Sequence, residues 1–276
     1  MNYFKLTFIF TSLLVMTGCG PIAAISAAGT TVTNAAYNEE ARRNQSGYVS
    51  PEQRSDEIAD ANLYLGIEYM QQGDYEKALD KLNRANKARP NYATVHNALG
   101  LLYQQMGDAE AAEKYFTRAI SLDPSDSSSL NNYGLYLCEN RRFGEAEEFF
   151  LRAASNPLYS TPELAITNAG TCALSNNQPD KAEGYFREAL NKNSKVAQAL
   201  IQMAELSYAQ GNYLPARTYL RSYLEVARHT PKSLWLGIRI EQELGDKNAV
   251  SSYALLLRNN FPGTKEAGLL SESGTR

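Results

Sequence analysis

LGIEYMQQGDYEKALDKLNRANKARP, residues 65–90, is answered 34 residues later by LGLLYQQMGDAEAAEKYFTRAISLDP, residues 99–124. Leu65, Gly66, Tyr69, Gly73, Asp74, Ala78, Ala85 and Pro90 each recur at the equivalent place in the second stretch. A fixed internal period of this length marks a chain built from stacked supersecondary units, each too small to bury its own apolar face. Following the columns outward extends the period over most of the chain. Ala78, Ala112, Ala146, Ala182, Ala216 and Val250 step by 34, 34, 36, 34 and 34. Gly66, Gly100, Gly134, Gly170, Ala204 and Ile238 take the same steps, and so do Leu82, Phe116, Phe150, Phe186, Leu220 and Ala254. The single long step marks a two-residue insertion near Asn156-Pro157-Leu158.

Each column has a physical reason. A small residue midway along a first helix lets a second helix cross closely. The alanine column does the same from the other side, and the Phe/Leu column fills the space between successive units. Gly73-Asp74, Gly107-Asp108, Gly211-Asn212 and Gly245-Asp246 stand between the helices. There glycine ends one helix in the left-handed region and Asp or Asn caps the next. Pro90, Pro124 and Pro262 stop second helices.

The pattern resembles the tetratricopeptide repeat over residues 59–264, most specifically in the first two units. That resemblance implies an all-α, right-handed superhelical solenoid of six repeats. They are expected at 59–92, 93–126, 127–162, 163–196, 197–230 and 231–264, within a body spanning 51–264, with residues 265–276 as a tail. Ile238 and Glu241 depart from the pattern in the sixth unit, as a terminal capping repeat is expected to do.

The N-terminus is of another kind. Lys5 precedes an apolar run, Leu6 to Met16, and Thr17-Gly18-Cys19 ends it. This reads as a secretory signal, residues 1–18, too short for a membrane span. A small residue before cysteine is the lipoprotein pattern, so Cys19 is expected to be cleaved to the new N-terminus and acylated. The alternative is an ordinary signal with an incidental cysteine. Gly20, where Asp would favour inner-membrane retention, points to the outer membrane, on its periplasmic face. Residues 19–50 lack a helical apolar stripe and are expected to form a tether. Ser50-Pro51-Glu52 carries a helix-start signal: a capping hydroxyl, proline in the first turn and an acid near the positive helix end.

Composition excludes several functions. The net charge is -3, with no basic excess for nucleic acid. Two histidines, His96 and His229, lack cysteine or histidine at ligand spacing, and no Gly-rich phosphate loop or H-E-x-x-H is present. No catalytic residue, metal site or cofactor is expected beyond the lipid on Cys19, and the chain is expected to be a monomer.

Cys138 and Cys172 fall on the first helices of adjacent repeats, which pack side by side in such a solenoid. With an export signal, a Cys138–Cys172 disulfide is expected; two buried free thiols are the alternative. Groove-facing positions of the first helices carry Leu63, Ile67, Met70, Leu101 and Leu135, an apolar strip suited to docking a peptide or helix. Coverage by the tether or by the helix before residue 59 is the alternative. Leu63 and Ile67 stand where chaperone-binding repeats carry a carboxylate clamp, which argues against one. Trp235 and Arg239, also on groove positions, offer a second contact surface; for Trp235 the alternative is a capping aromatic on the last repeat.

Two stretches resemble the type IV pilus biogenesis lipoproteins of the PilF/PilW kind. They are Asn131-Asn132-Tyr133-Gly134-Leu135-Tyr136-Leu137-Cys138 and Ser233-Leu234-Trp235-Leu236-Gly237-Ile238-Arg239-Ile240, the latter continuing through Leu244-Gly245-Asp246 and Ser252-Tyr253-Ala254-Leu255-Leu256-Leu257-Arg258. The resemblance implies a pilotin of a Gram-negative bacterium. Such a protein binds the secretin subunit, travels with the lipoprotein sorting machinery, and promotes secretin assembly in the outer membrane. The competing expectation is a general envelope scaffold recruiting peptidoglycan enzymes or outer-membrane assembly factors.

Overall fold

In a computed structural model the chain divides into two units, residues 1–53 and 54–276. The structure describes residues 49–53 of the first and 54–272 of the second. The signal peptide, Cys19 and nearly all of the expected tether lie outside the described residues. Ser50 caps the first helix: its Oγ accepts from the Gln53 amide at 3.1 Å while Gln53 Oε1 accepts from the Ser50 amide at 3.0 Å.

Six helix pairs follow in order: α1 (Pro51–Gln71) with α2 (Tyr75–Ala88), α3 (Ala93–Met106) with α4 (Ala109–Leu122), and α5 (Ser127–Glu139) with α6 (Phe143–Ser155). Then come α7 (Pro162–Ser175) with α8 (Pro179–Lys192), α9 (Ala197–Ala209) with α10 (Tyr213–Val226), and α11 (Pro231–Glu243) with α12 (Lys247–Asn260). The described residues contain no strand, and none of their helices is long and apolar enough to cross a membrane. From α3 onward each first helix packs on its own second helix, and every second helix on the next first helix. From the second hairpin on, successive first helices also touch, whereas successive second helices do not among the described residues. The first helices therefore form the inner layer of a tetratricopeptide solenoid.

The glycine column shows why the hairpins close. A Cβ placed on Gly100, Gly134 or Gly170 would lie 2.7, 2.8 or 2.6 Å from the ring of Phe116, Phe150 or Phe186. Real carbon contacts are near 3.5–4.0 Å. The three rings are fully buried, and Phe116 also meets Tyr133 and Tyr136 of the next hairpin at 5.9 and 5.5 Å between centroids. The sixth hairpin inverts the sizes. The bulky residue, Ile238, is on the first helix and the small one, Ala254, on the second, both buried in one cluster. Gly237 there sits under the Tyr253 ring, 3.0 Å from where its Cβ would be.

Electrostatics stitch the hairpins together as well. The Tyr133 hydroxyl donates to Glu113 at 3.0 Å, and burial, with Glu113 second, pushes that phenol up to about 12. Arg142 pairs with both Glu113 and Glu145, which raises its already high pKa.

The turns follow the expected chemistry with three exceptions. Gly73, Gly107, Gly211 and Gly245 have φ of 77°, 80°, 76° and 76°, and Asp74, Asp108 and Asp246 accept amide hydrogen bonds from the next helix. Asn212 makes no such cap; its amide donates to Gln210 instead. In the third and fourth hairpins the left-handed position is held by Arg141 and Asn177, with φ of 62° and 56°. Left-handed backbone strains a Cβ-bearing residue by roughly 1–2 kcal/mol, least for Asn. Arg141→Gly is therefore expected to stabilise the protein by about 1 kcal/mol and raise Tm by about 2–4 °C. An unchanged melting curve would mean that the turn carries no such strain.

The insertion lies in the connection 156–161, six residues where 123–126 and 193–196 have four. Asn156 holds it, donating to the Ser125 carbonyl and to Ser127 Oγ, each at 3.0 Å. At the opposite ends of α5 and α7, Cys138 and Cys172 are joined by a disulfide with a Cα separation of 5.8 Å.

The expected C-terminal tail is different from a tail at its start. Residues Lys265–Glu272 form a further helix, α13, packed on α11 and α12, with Leu270 buried against Leu234, Ile238 and Leu257. It covers the apolar side of the last hairpin, as a capping helix does.

Candidate protein-binding groove

The inner layer places the expected groove residues in two groups. Ile67, Leu101 and Leu135 are half-buried at successive turns of the solenoid, packed on the core from its surface. Leu63 and Met70 are not part of an exposed strip. They are 8% and 9% exposed and belong to the first core cluster, with Ala98, Leu99 and Leu102 of the next hairpin. The physical reason is lateral: α3 stacks against α1 and closes over them.

A feature that residue-by-residue reading missed runs beside Leu101 and Leu135. Asn132 Nδ2 donates to Asn97 Oδ1 at 3.3 Å, and Asn168 Nδ2 donates to Asn131 Oδ1 at 2.9 Å. The same bond thus links the second hairpin to the third and the third to the fourth. An amide carries two donors and two acceptors, so each rung leaves hydrogen-bonding capacity over. The signal was present: Asn97 and Asn131 share one repeat position, Asn132 and Asn168 the next. Beyond this, Gln104 donates to Glu139 at 2.6 Å across α3 and α5. The groove therefore pairs an apolar row with an amide rail, an arrangement that grips side chains and backbone but supplies no nucleophile or base.

The second expected surface lies on α11. Trp235 is half-buried against the cluster of Leu234, Ile238 and Leu257, so it does pack on the last hairpin. The Arg239 guanidinium stands 4.4 Å from the Tyr208 ring centroid, on the facing helix α9. His96 is a packing residue, its Nε2 2.8 Å from the Pro90 carbonyl. No group of His, Cys, Asp and Glu among the described residues could hold a metal ion.

Comparison with known proteins places this geometry. A family model for "TPR repeat" matches residues 66–107 and one for "Tetratricopeptide repeat" matches 97–160 and 167–231. The type IV pilus assembly protein PilF of Pseudomonas aeruginosa is 32% identical over 211 residues, covering 76% of this chain and 84% of PilF. The chain belongs to the PilF family. A solved structure of P. aeruginosa PilF superposes with a TM-score of 0.70 at 31% identity, over 79% of this chain and 99% of that one. A crystal structure of PilW, a widely conserved type IV pilus biogenesis factor, gives 0.68 at 28% identity, over 78% and 98%. Within the PilF family, then, this is a tetratricopeptide protein of type IV pilus biogenesis, and its hairpins are those of the family's solved members.

Proposed function

We propose that the chain is an outer-membrane lipoprotein pilotin, anchored by acylated Cys19, which binds the secretin subunit of the type IV pilus along its inner layer. It acts by binding rather than catalysis, and it relies on the lipoprotein sorting machinery to deliver the complex and promote secretin multimers. The observation that carries the reading is the half-exposed row Ile67, Leu101 and Leu135 beside the Asn97–Asn132 and Asn131–Asn168 rail, in a member of the PilF family. An apolar secretin segment would seat on the row while its backbone amides meet the rail.

The test is a deletion strain complemented with variants, read by unboiled immunoblot for the secretin in separated membranes. Leu101→Ser with Leu135→Ser is expected to weaken secretin binding by about tenfold or more, with a melting curve showing the solenoid intact. Cys19→Ala is expected to leave a folded protein that no longer places multimers in the outer membrane. Normal multimers in the double variant would remove the groove as the site. Normal multimers in the deletion strain would shift the function to pilus stabilisation or to envelope scaffolding.

A further inference from the structure

We propose that the groove between α9 and α11 receives an internal acidic segment of a partner polypeptide, with Arg239 and Lys232 as its carboxylate contacts and Trp235 as its apolar contact. This does not depend on what binds at α1, α3 and α5.

Arg239 is the central observation. Its guanidinium is stacked on Tyr208 at 4.4 Å, its Nε is buried with no hydrogen-bond partner, and among the described residues it forms no ion pair. Stacking fixes the plane of the fork and leaves its edge for a planar acceptor, the geometry that suits a carboxylate.

The acid that feels both cations does not fill the place. Glu205 feels the charges of both Lys232 and Arg239, yet burial pushes its carboxyl above the usual range. Its surface is nevertheless open to water. Its charge is disfavoured there. It is therefore a poor counter-ion for the two cations.

Spacing sets the ligand. Lys232, Trp235 and Arg239 fall at i, i+3 and i+7 on α11, which puts them on one face. Seven residues along a helix separate the two cations by about 10.5 Å. A polyproline-type segment presents side chains three residues apart on one side at about 9.3 Å. Two acidic residues so spaced reach both cations, with an apolar residue between them over the indole. A chain terminus brings its own carboxylate to one end alone, so an internal segment fits better.

Trp235 is the one tryptophan of the chain, so its emission reports on this site directly. The full chain in detergent would be titrated with an N-acetylated, C-amidated peptide containing Glu-Leu-Pro-Glu. The Gln-Leu-Pro-Gln analogue and a monoacidic peptide with a free C-terminus serve as comparisons. A saturable emission change with the diacidic peptide alone is expected. Arg239→Gln should weaken it by about tenfold or more, Arg239→Lys should weaken it less, and Glu205→Gln should tighten it. Equal binding of the Gln analogue, or stronger binding of the free C-terminus, would overturn the proposal. If Arg239→Gln alters the fold, Glu205→Gln decides alone: unchanged or weaker binding in that variant sinks the idea.

Discussion

Truncating Phe150 to alanine is expected to lower the unfolding free energy by about 4 kcal/mol. The ring is fully buried and rests on Gly134, with the next hairpin's Ala169 and Cys172 in the same cluster. Removing it opens a void that a disulfide-linked neighbour and a rigid hairpin close poorly. The sixth hairpin suggests a repair, because Ile238 and Ala254 occupy the same two columns with their sizes exchanged. Gly134→Ile alone should overpack against Phe150 and cost about 1–3 kcal/mol. Combined with Phe150→Ala it should cost less than the sum of the two, giving a coupling of opposite sign to simple addition. Urea unfolding of the two single variants and the double variant checks this. Additive losses would mean that the columns are not in direct register.

The second large effect concerns Arg217 and Glu241, whose pair links α10 to α11. Glu241 is 2% exposed and accepts from Arg217 Nε at 2.9 Å and from its terminal nitrogen. The Arg217 side chain is 21% exposed and also lies 3.8 Å from Asp246. The two removals are therefore unequal. Arg217→Met strands a buried carboxylate and is expected to cost about 3–5 kcal/mol. Glu241→Leu leaves an arginine that can turn to Asp246 or to water, so about 1–2 kcal/mol is expected. The double variant should lie close to wild type, since an apolar pair of similar volume often replaces a buried ion pair without loss. Equal losses from the two single changes, read by thermal or urea unfolding, would refute the asymmetry.

The fold was legible because its determinants are local and periodic. A glycine under an aromatic ring, a left-handed glycine and a capping aspartate each leave a mark at fixed spacing. Arg141 and Asn177 hold the left-handed positions without glycine, so that part of the pattern was silent in the third and fourth hairpins. Residues 265–272 belong to no repeat, and nothing periodic announced α13. The groove was harder to read. Helical spacing puts Leu63 and Met70 on the same face as Ile67, but only the stacking of α3 decides which of them stays accessible. The rail of Asn97, Asn131, Asn132 and Asn168 depends on which amides meet across hairpins, a fact about pairs rather than single columns. Cys138 and Cys172 could be paired in advance because adjacent first helices must lie side by side.

That covalent link also has a mechanical meaning. Hairpins in a solenoid hold mainly to their neighbours, so a stretching load peels them from the ends inward. Between Cys138 and Cys172 the load bypasses 34 residues of sequence through a bond that does not slip. The stretch from the end of α5 through α6 to Cys172 on α7 would stay closed while the outer hairpins yield. The chain would behave as two short springs on either side of a stiff knot, with the amide rail of the groove anchored at that knot.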